Sequence, residues 1–405
     1  MLVNSLPKKS PDLESVSISL ALGRVLATDI LSPIDMPPFD RAAMDGFAVV
    51  AEDTYGATVN APIFLRIVGS VSMGVTTSLH MNRGEAALIV TGGQMPQVSN
   101  AVVMVEYTKQ RPDGRVEIWD EVHPGENVSC VGEDVQRGTI VLKKGTLLLP
   151  QDLAMLTYIG IHRVMVCRRL RVAVLSTGSE LTEGSAFVEG KIPDVNRPAL
   201  MGAIRQLGCE PIDLGIAADE FDQIRSKLQG GIRTADIVLV TAATSVGPGD
   251  IAPQVINSLG EPGMLVHGVA MRPSMPTGLA VVNGKPIISL PGYPVSAYLA
   301  FLEFVHPLIS YMLDADFLPR PTVRAKLSRR VAGILGSRTY VRARVHATEE
   351  GFIAEPIRTS GAGILSSLVQ ANGFIIVPEH VEGYEEGQLI DVELFRPVER
   401  AQTVK

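Results

Sequence analysis

Residues able to do chemistry gather in three turns that each follow a short β-branched run: Ser176-Thr177-Gly178-Ser179-Glu180, the stretch TAATSVGPGD from Thr241 to Asp250, and Leu290-Pro291-Gly292-Tyr293-Pro294-Val295-Ser296-Ala297. Hydroxyls and backbone N–H groups at helix starts cradle phosphate and other oxyanions. One such turn alone is an ordinary capped helix start, since Ser, Thr, Gly and Asp are common capping residues. Three at the carboxyl ends of neighbouring strands fall where an open parallel sheet holds its ligand. Upstream, Asp45 and Asp134 stand beside glycines in AMDG and GED, where a turn can present a carboxylate to a cation. Singly, each is a turn residue.

Other chemistries lack their residues. No GxGxxG follows a strand and no GxxxxGK[ST] occurs, which argues against a standard dinucleotide site or P-loop. The seven histidines form no HExxH, and Gly184-Ser185 forms no GxSxG elbow. Cys130, Cys167 and Cys209 are odd in number and far apart, so neither a disulfide framework nor a zinc knuckle is expected. With 36 basic and 43 acidic residues and no long run of one sign, non-specific nucleic-acid or polybasic membrane binding is disfavoured.

The elements that must carry the turns are legible from Arg171 onwards. Strands are expected at 171–176, 211–214, 236–241, 265–271 and 286–290, and helices at 196–207, from an Asp219 cap to 229, at 251–259 and from Pro294 to Leu313. Strands alternating with helices at this spacing predict βαβ units on a parallel sheet covered on both faces. The run Val295–Leu313 is apolar enough to suggest a membrane span, but Glu303, His306 and Pro307 make it a buried helix. The opening MLVNSLPKKSPDLES has no apolar core of signal-peptide length, so a cytoplasmic location is expected. After Phe317-Leu318-Pro319-Arg320-Pro321, short strand-like runs separated by Gly-containing turns predict a small β-barrel or sandwich. In the first 166 residues, 16–28 reads as an amphipathic helix, and 62–69, 86–90, 101–107 and 115–119 read as strands. At 405 residues, 46% of them hydrophobic and 20% charged, the chain has material for two to four folded domains.

Taken together, PPFDRAAMDGFAV, TGG, GENV…GEDV, STGSEL, the Asp194-Val195-Asn196 step, SVGPGD and LPGYPVSA occur in the order seen in the molybdopterin molybdenumtransferase family, which includes bacterial MoeA and the E domain of gephyrin. The chain resembles that family over nearly its whole length. The resemblance implies a multidomain α/β plus β protein. It would have an N-terminal region 1–166 (a helical lobe of 1–27 and 138–166 with an inserted β lobe 28–137), a molybdopterin-binding α/β domain 167–315, and a C-terminal β-barrel 316–405. It further implies a homodimer whose active cleft lies between the central domain of one subunit and the β lobe of the other. The implied reaction inserts molybdenum from molybdate into adenylylated molybdopterin with release of AMP, aided by Mg²⁺, and a molybdopterin adenylyltransferase is an implied partner.

Carried over by motif, Asp45, Asp134 and Asp250 would be catalytic carboxylates and metal ligands. Glu180 would lie at the pterin pocket. Thr91, Thr177, Gly178, Ser245, Gly247, Pro291 and Pro294 would shape the oxyanion and phosphate loops, Asp194 and Asn196 the ligand edge, and Arg272 would supply substrate-binding charge. Several loops depart from the family. SGGVSVG is TAATSVG, with Ala242 and Ala243 for glycines; KPGKP is Arg272-Pro273-Ser274-Met275-Pro276; LPGNP carries Tyr293; and Arg41-Ala42 replaces Asn-Ser. An added Cβ resists positive φ, and Met275 loses a charge. These substitutions leave open, beside the active transferase, a paralogue that binds a pterin or nucleotide without this catalysis, one that handles tungstate, or a purely structural scaffold.

Overall fold

The computed structural model describes residues 2–7, 11–184, 189–241, 251–315, 319–358 and 363–400. The chain forms two compact units, one of Ser15–Leu22 with Leu26–Val164, the other of Met1–Glu14 and Gly23–Val25 with Met165–Lys405.

The first unit is built on a six-stranded sheet of β1 (Gly46–Val49), β2 (Ile63–Val71), β3 (Glu85–Ile89), β4 (Ala101–Met104), β5 (Thr108–Gln110) and β6 (Arg115–Ile118), in the order β4-β1-β3-β2-β6-β5. Successive strand residues point to opposite faces. Phe47 and Val49 therefore join Leu65, Val103, Val116 and Ile118 in one core, while Ala48 faces a second with Ile89 and Val102. Gly46 allows β1 and β4 to close, because a Cβ there would lie 1.9 Å from the Val103 carbonyl oxygen. The four expected strands are present. The amphipathic helix expected over 16–28 is not: a strand covers Leu13–Ser17 and a 3₁₀ turn Ile18–Leu20. Ser15, Ser17 and Ser19 alternate there with Val16, Ile18 and Leu20, a period of two that suits extended chain. The α-helix that forms in this unit is α1 (Pro150–Tyr158), with Pro at its start and the Leu149 N–H held by Asp152 Oδ2 at 2.8 Å.

In the second unit β7 (Arg171–Thr177), α2 (Asn196–Gln206), β8 (Glu210–Ala217), α3 (Phe221–Thr234), β9 (Ile237–Thr241), α4 (Ala252–Asn257), β10 (Pro262–His267), β11 (Gly278–Val282), β12 (Lys285–Leu290), α5 (Pro294–Ala300) and α6 (His306–Leu313) follow in turn. The sheet order is β8-β7-β9-β12-β11-β10. The first four strands are parallel, and their central members β7 and β9 are buried almost throughout, as a doubly covered sheet requires. The sheet is nonetheless mixed, since β11 runs antiparallel to both its neighbours, β12 and β10. The missing strand in the sequence reading was β11, joined to β12 by Asn283-Gly284 with φ of 51° and 78°, the two-residue hairpin signal. Helix α3 runs five residues past the expected end. Its C-terminal carbonyls of Ile232 and Ala235 accept from Lys285 Nζ at 2.6 and 2.8 Å. Its N-cap is Glu220, not Asp219.

The helix from Pro294 to Leu313 is continuous but contains a π turn over Phe301–Val305, between α5 and α6. By length and composition it is apolar enough to cross a membrane, yet half of that window is buried in the fold. Glu303, in the π turn, accepts from Arg320 Nη2 at 2.6 Å and from the Tyr340 hydroxyl at 2.8 Å.

Beyond Pro321, β13 (Thr322–Leu327), β14 (Arg338–Thr348), β15 (Gly351–Arg358), β16 (Gly373–Val377) and β17 (Leu389–Leu394) close a five-strand barrel in the ring β14-β15-β13-β17-β16, with helix α7 (Leu365–Gln370) between β15 and β16. Val341, Ala343, Val345, Ile375 and Val392 fill it. Met271 and Arg272 add a short parallel pairing to Arg338 and Thr339 of β14.

Candidate active site: two sets of ligand loops

In the first unit, segments far apart in sequence are stitched into one cluster. The amides of Gly92 and Ala42 exchange bonds with Ala42 O (2.8 Å) and Gly93 O (2.9 Å). Ala43 N–H donates to Asn127 O at 2.8 Å, Gly132 N–H to Pro37 O at 3.0 Å, and Val131 N–H to Asp40 Oδ1 at 2.7 Å. The PPFDRAAMDG, TGG and GENV…GED motifs are thus one structure.

Within it Asp45 and Thr91 meet directly. Oδ1 of Asp45 accepts from the Thr91 backbone N–H at 2.6 Å and from its hydroxyl at 2.7 Å. These two bonds, the backbone one foremost, hold the Asp45 carboxyl below the usual carboxylate range. The shift favours the ionised, hydrogen-bond-accepting form. Asp134 is exposed and lines a separate cavity of about 330 Å³ with Met36, Arg41, Ser129, Glu133 and Tyr158. Glu133 is oriented there by the Ser129 hydroxyl at 2.8 Å and the Cys130 N–H at 3.1 Å. Arg41 and Glu133 were absent from the sequence-based site. The signal for Arg41 was its being a charged departure inside a motif, and for Glu133 its place in GED next to Asp134. Among the described residues no group of three His, Cys, Asp or Glu is arranged to hold a metal.

The second set sits at the carboxyl ends of β7 and β12. Thr177 ends β7 fully buried, and its hydroxyl donates to Thr241 O at 3.0 Å, so it braces β7 against β9. Gly178 donates to Ala217 O at 3.1 Å with φ of +151°, and a Cβ there would meet the Glu180 carboxylate at 2.7 Å. Ser179 and Asp219 bond reciprocally: Ser179 N–H to Asp219 Oδ2 at 3.0 Å, Asp219 N–H to Ser179 Oγ at 3.2 Å. Asp219 therefore fixes the TGSE turn instead of capping α3. Lys191 Nζ donates to Ser179 O at 2.5 Å, placing an unforeseen cation beside the exposed Glu180.

Asn196 ties the DVN step to the PGYP turn, its Nδ2 donating to Gly292 O at 2.7 Å. Asp194 is 3% exposed and paired to Arg197 Nε at 3.0 Å. Arg197 also holds Asp213 at 2.6 Å and Glu183 at 2.9 Å, so Asp194 is an anchor of the α2 start. Pro291 is buried, Pro294 opens α5, and Tyr293 between them is 66% exposed. Arg272 and Met275 are exposed on the loop between β10 and β11. In that loop Ser274 keeps a φ of +102° and is buried, its hydroxyl donating to Ser296 O at 2.8 Å. The backbone thus retains a conformation that favours glycine, although the glycine of the motif is gone. Ser245, Gly247 and Asp250, with Ala242 and Ala243, lie outside the described residues.

Three family models match the chain in succession: the MoeA N-terminal region (domains I and II) over residues 2–160, a probable molybdopterin binding domain over 173–311, and the MoeA C-terminal region (domain IV) over 324–395. A putative molybdopterin biosynthesis protein of Methanocaldococcus jannaschii is 38% identical across 95% of this chain and 92% of its own length. A molybdopterin molybdenumtransferase of Bacillus subtilis is 32% identical across 96% and 91%. The crystal structure of a molybdopterin biosynthesis MoeA protein from Pyrococcus horikoshii OT3 superposes with a TM-score of 0.85 at 35% identity, covering 97% of each chain. With matches of this length in all three segments, the chain belongs to the MoeA family of molybdopterin molybdenumtransferases.

Proposed function

We propose that this protein inserts molybdenum from molybdate into adenylylated molybdopterin, releasing AMP, as a step of molybdenum-cofactor biosynthesis. The observation that carries this reading is the convergence at one sheet edge. The Asn196–Gly292 bond ties DVN to LPGYP, and the bonds from Ile192 N–H to Glu180 O at 2.9 Å and from Asp194 N–H to Thr182 O at 3.1 Å tie DVN to STGSEL, where a parallel sheet receives its ligand. Ser274 supports activity over degeneration. Its positive φ is one that glycine, the residue of the family motif at this place, adopts readily.

In this reading Glu180, Lys191 and Arg272 face the substrate, with the cations offsetting phosphate and molybdate charge. Thr177, Gly178, Asp194, Asn196, Pro291 and Pro294 hold those loops in place. Asp45, kept ionised by Thr91, accepts a hydrogen bond from water or holds a cation, and Asp134 acts with Arg41 in the neighbouring cavity. Mg²⁺ fits this donor set, because it usually takes one or two carboxylates and completes its shell with substrate phosphates and water. It would offset charge on the phosphates. We assign it to Asp45 as the one protein carboxylate of such a shell; Asp134 lines the separate cavity, and Asp250 is outside the described residues. The protein is further proposed to be a cytoplasmic homodimer that receives its substrate from a molybdopterin adenylyltransferase.

The test is to give purified protein adenylylated molybdopterin, Mg²⁺ and molybdate, and to follow AMP release together with molybdenum incorporation. Molybdate-dependent release of AMP is expected. Folded protein that binds the substrate and releases no AMP would overturn the reading.

A further inference from the structure

Within the second unit a cavity of about 420 Å³ lies between the α/β domain and the barrel, on the stem of the 272–276 loop. Val269, Met271 and Phe304 give it an apolar floor, and Arg338 and Glu379 from the barrel give it a charged wall. Glu303 and Tyr340 also line it, but their polar atoms are engaged. Both Glu303 oxygens are taken, one by Arg320 and one by the Tyr340 hydroxyl. Arg338 and Glu379 are different. Each side chain is 50% exposed; the Arg338 guanidinium donates to the Tyr340 hydroxyl and reaches Glu379 only through Nε and Oε2 at 3.4 Å, a long contact that leaves part of the guanidinium for another group.

We propose that this cavity binds a small zwitterion with an apolar body, an aliphatic α-amino acid such as leucine. An anion alone would meet Arg338 favourably but face the carboxylates of Glu379 and Glu303. A cation alone would face the guanidinium. A molecule carrying both charges on neighbouring atoms pairs its carboxylate with Arg338 and its ammonium with Glu379, replacing their weak mutual contact by two charge-assisted ones. Its side chain covers Val269, Met271 and Phe304. The volume is at the small end of the range for ligand pockets and suits an amino acid. Because Arg338 N–H donates to Ala270 O at 3.0 Å and Met271 leads directly into Arg272, the occupant also rests on the base of a substrate loop.

Isothermal titration of the full chain with L-leucine, with 4-methylpentanoate and with 3-methylbutylamine tests the assignment. The two analogues keep the apolar body and lack the ammonium or the carboxylate. Leucine is expected to bind at one site, with each analogue weaker by about tenfold or more. Glu379→Gln and Arg338→Gln, both at half-exposed positions where folding tolerates the change, should each weaken leucine by a similar factor. Absence of leucine binding to the folded protein would overturn the proposal. So would equal binding of the three compounds, or leucine binding unchanged in either folded variant.

Discussion

Ser274 offers a test in which the usual order of two substitutions is reversed. At an ordinary backbone position glycine is less stabilising than alanine by about 0.5–1 kcal/mol, because it loses more freedom on folding. At a φ of +102° an L-residue is strained, at roughly 1–2 kcal/mol relative to glycine. Wild-type Ser274 offsets part of this through its hydrogen bond to Ser296 O, worth about 1 kcal/mol. Ser274→Ala loses the bond and keeps the strain, so it should destabilise by about 1 kcal/mol. Ser274→Gly loses the bond, sheds the strain and adds unfolded-state entropy, and should lie within about 0.5 kcal/mol of wild type. Glycine is therefore expected to be the more stable of the two variants. Urea unfolding followed by far-UV circular dichroism, with midpoints compared at unchanged slope, measures the difference. An alanine variant as stable as the glycine one would refute the claim that this loop holds a glycine-type conformation.

Asn196→Ala should cost about 1 kcal/mol of stability and lower kcat/KM for AMP release by about tenfold or more, since the PGYP turn loses its tie; unchanged kinetics would separate that turn from the site. Cys130 is exposed whereas Cys167 is buried and burial pushes the Cys209 thiol up to about 12, so a thiol reagent at pH 8 should label Cys130 rapidly and the other two only on unfolding, as read by peptide mass spectrometry. Burial, with Arg320 adding to it and Glu303 opposing, lowers the His306 pKa below its ordinary 6.5. The neutral form is favoured in the fold, so this contribution to stability is present above 6.5 and lost as pH falls through the lowered value. Thermal unfolding between pH 8 and pH 5 should show a decline that His306→Gln reduces.

Much of the architecture was legible because β7, β9 and β12 are short runs rich in Val, Ile and Leu that alternate with helix-length segments, the pattern of a doubly covered sheet. The reading failed where two periods competed. Residues 16–28 contain enough apolar positions for a helical face, yet the alternation favours a strand up to Ser17, and a 3₁₀ turn follows at Ile18–Leu20. β11 was missed although Asn283-Gly284 marks its turn into β12, because GLAVV is only five residues long and opens on a glycine. For the site, motif order located the loops but not what their atoms do. Asp219 fixes the STGSE turn, Lys191 closes on it from twelve residues away, and Glu133 and Arg41 share a cavity. Such pairings depend on how turns fold back on each other, which no local pattern encodes.

The π turn at Phe301–Val305 bears on how this helix tolerates insertion and deletion. A π turn accommodates one residue more than an α-helical turn while the flanking helix keeps its alignment. Deleting a single residue inside 301–305 can therefore heal into regular α-helix and leave Leu308, Ile309 and Leu313 facing the core as before. The same deletion within α5 or α6 would rotate everything after it by about 100°. Chains of this family that differ by one residue in this helix are thus best aligned with the gap at the π turn, the turn from which Glu303 reaches Arg320 and Tyr340.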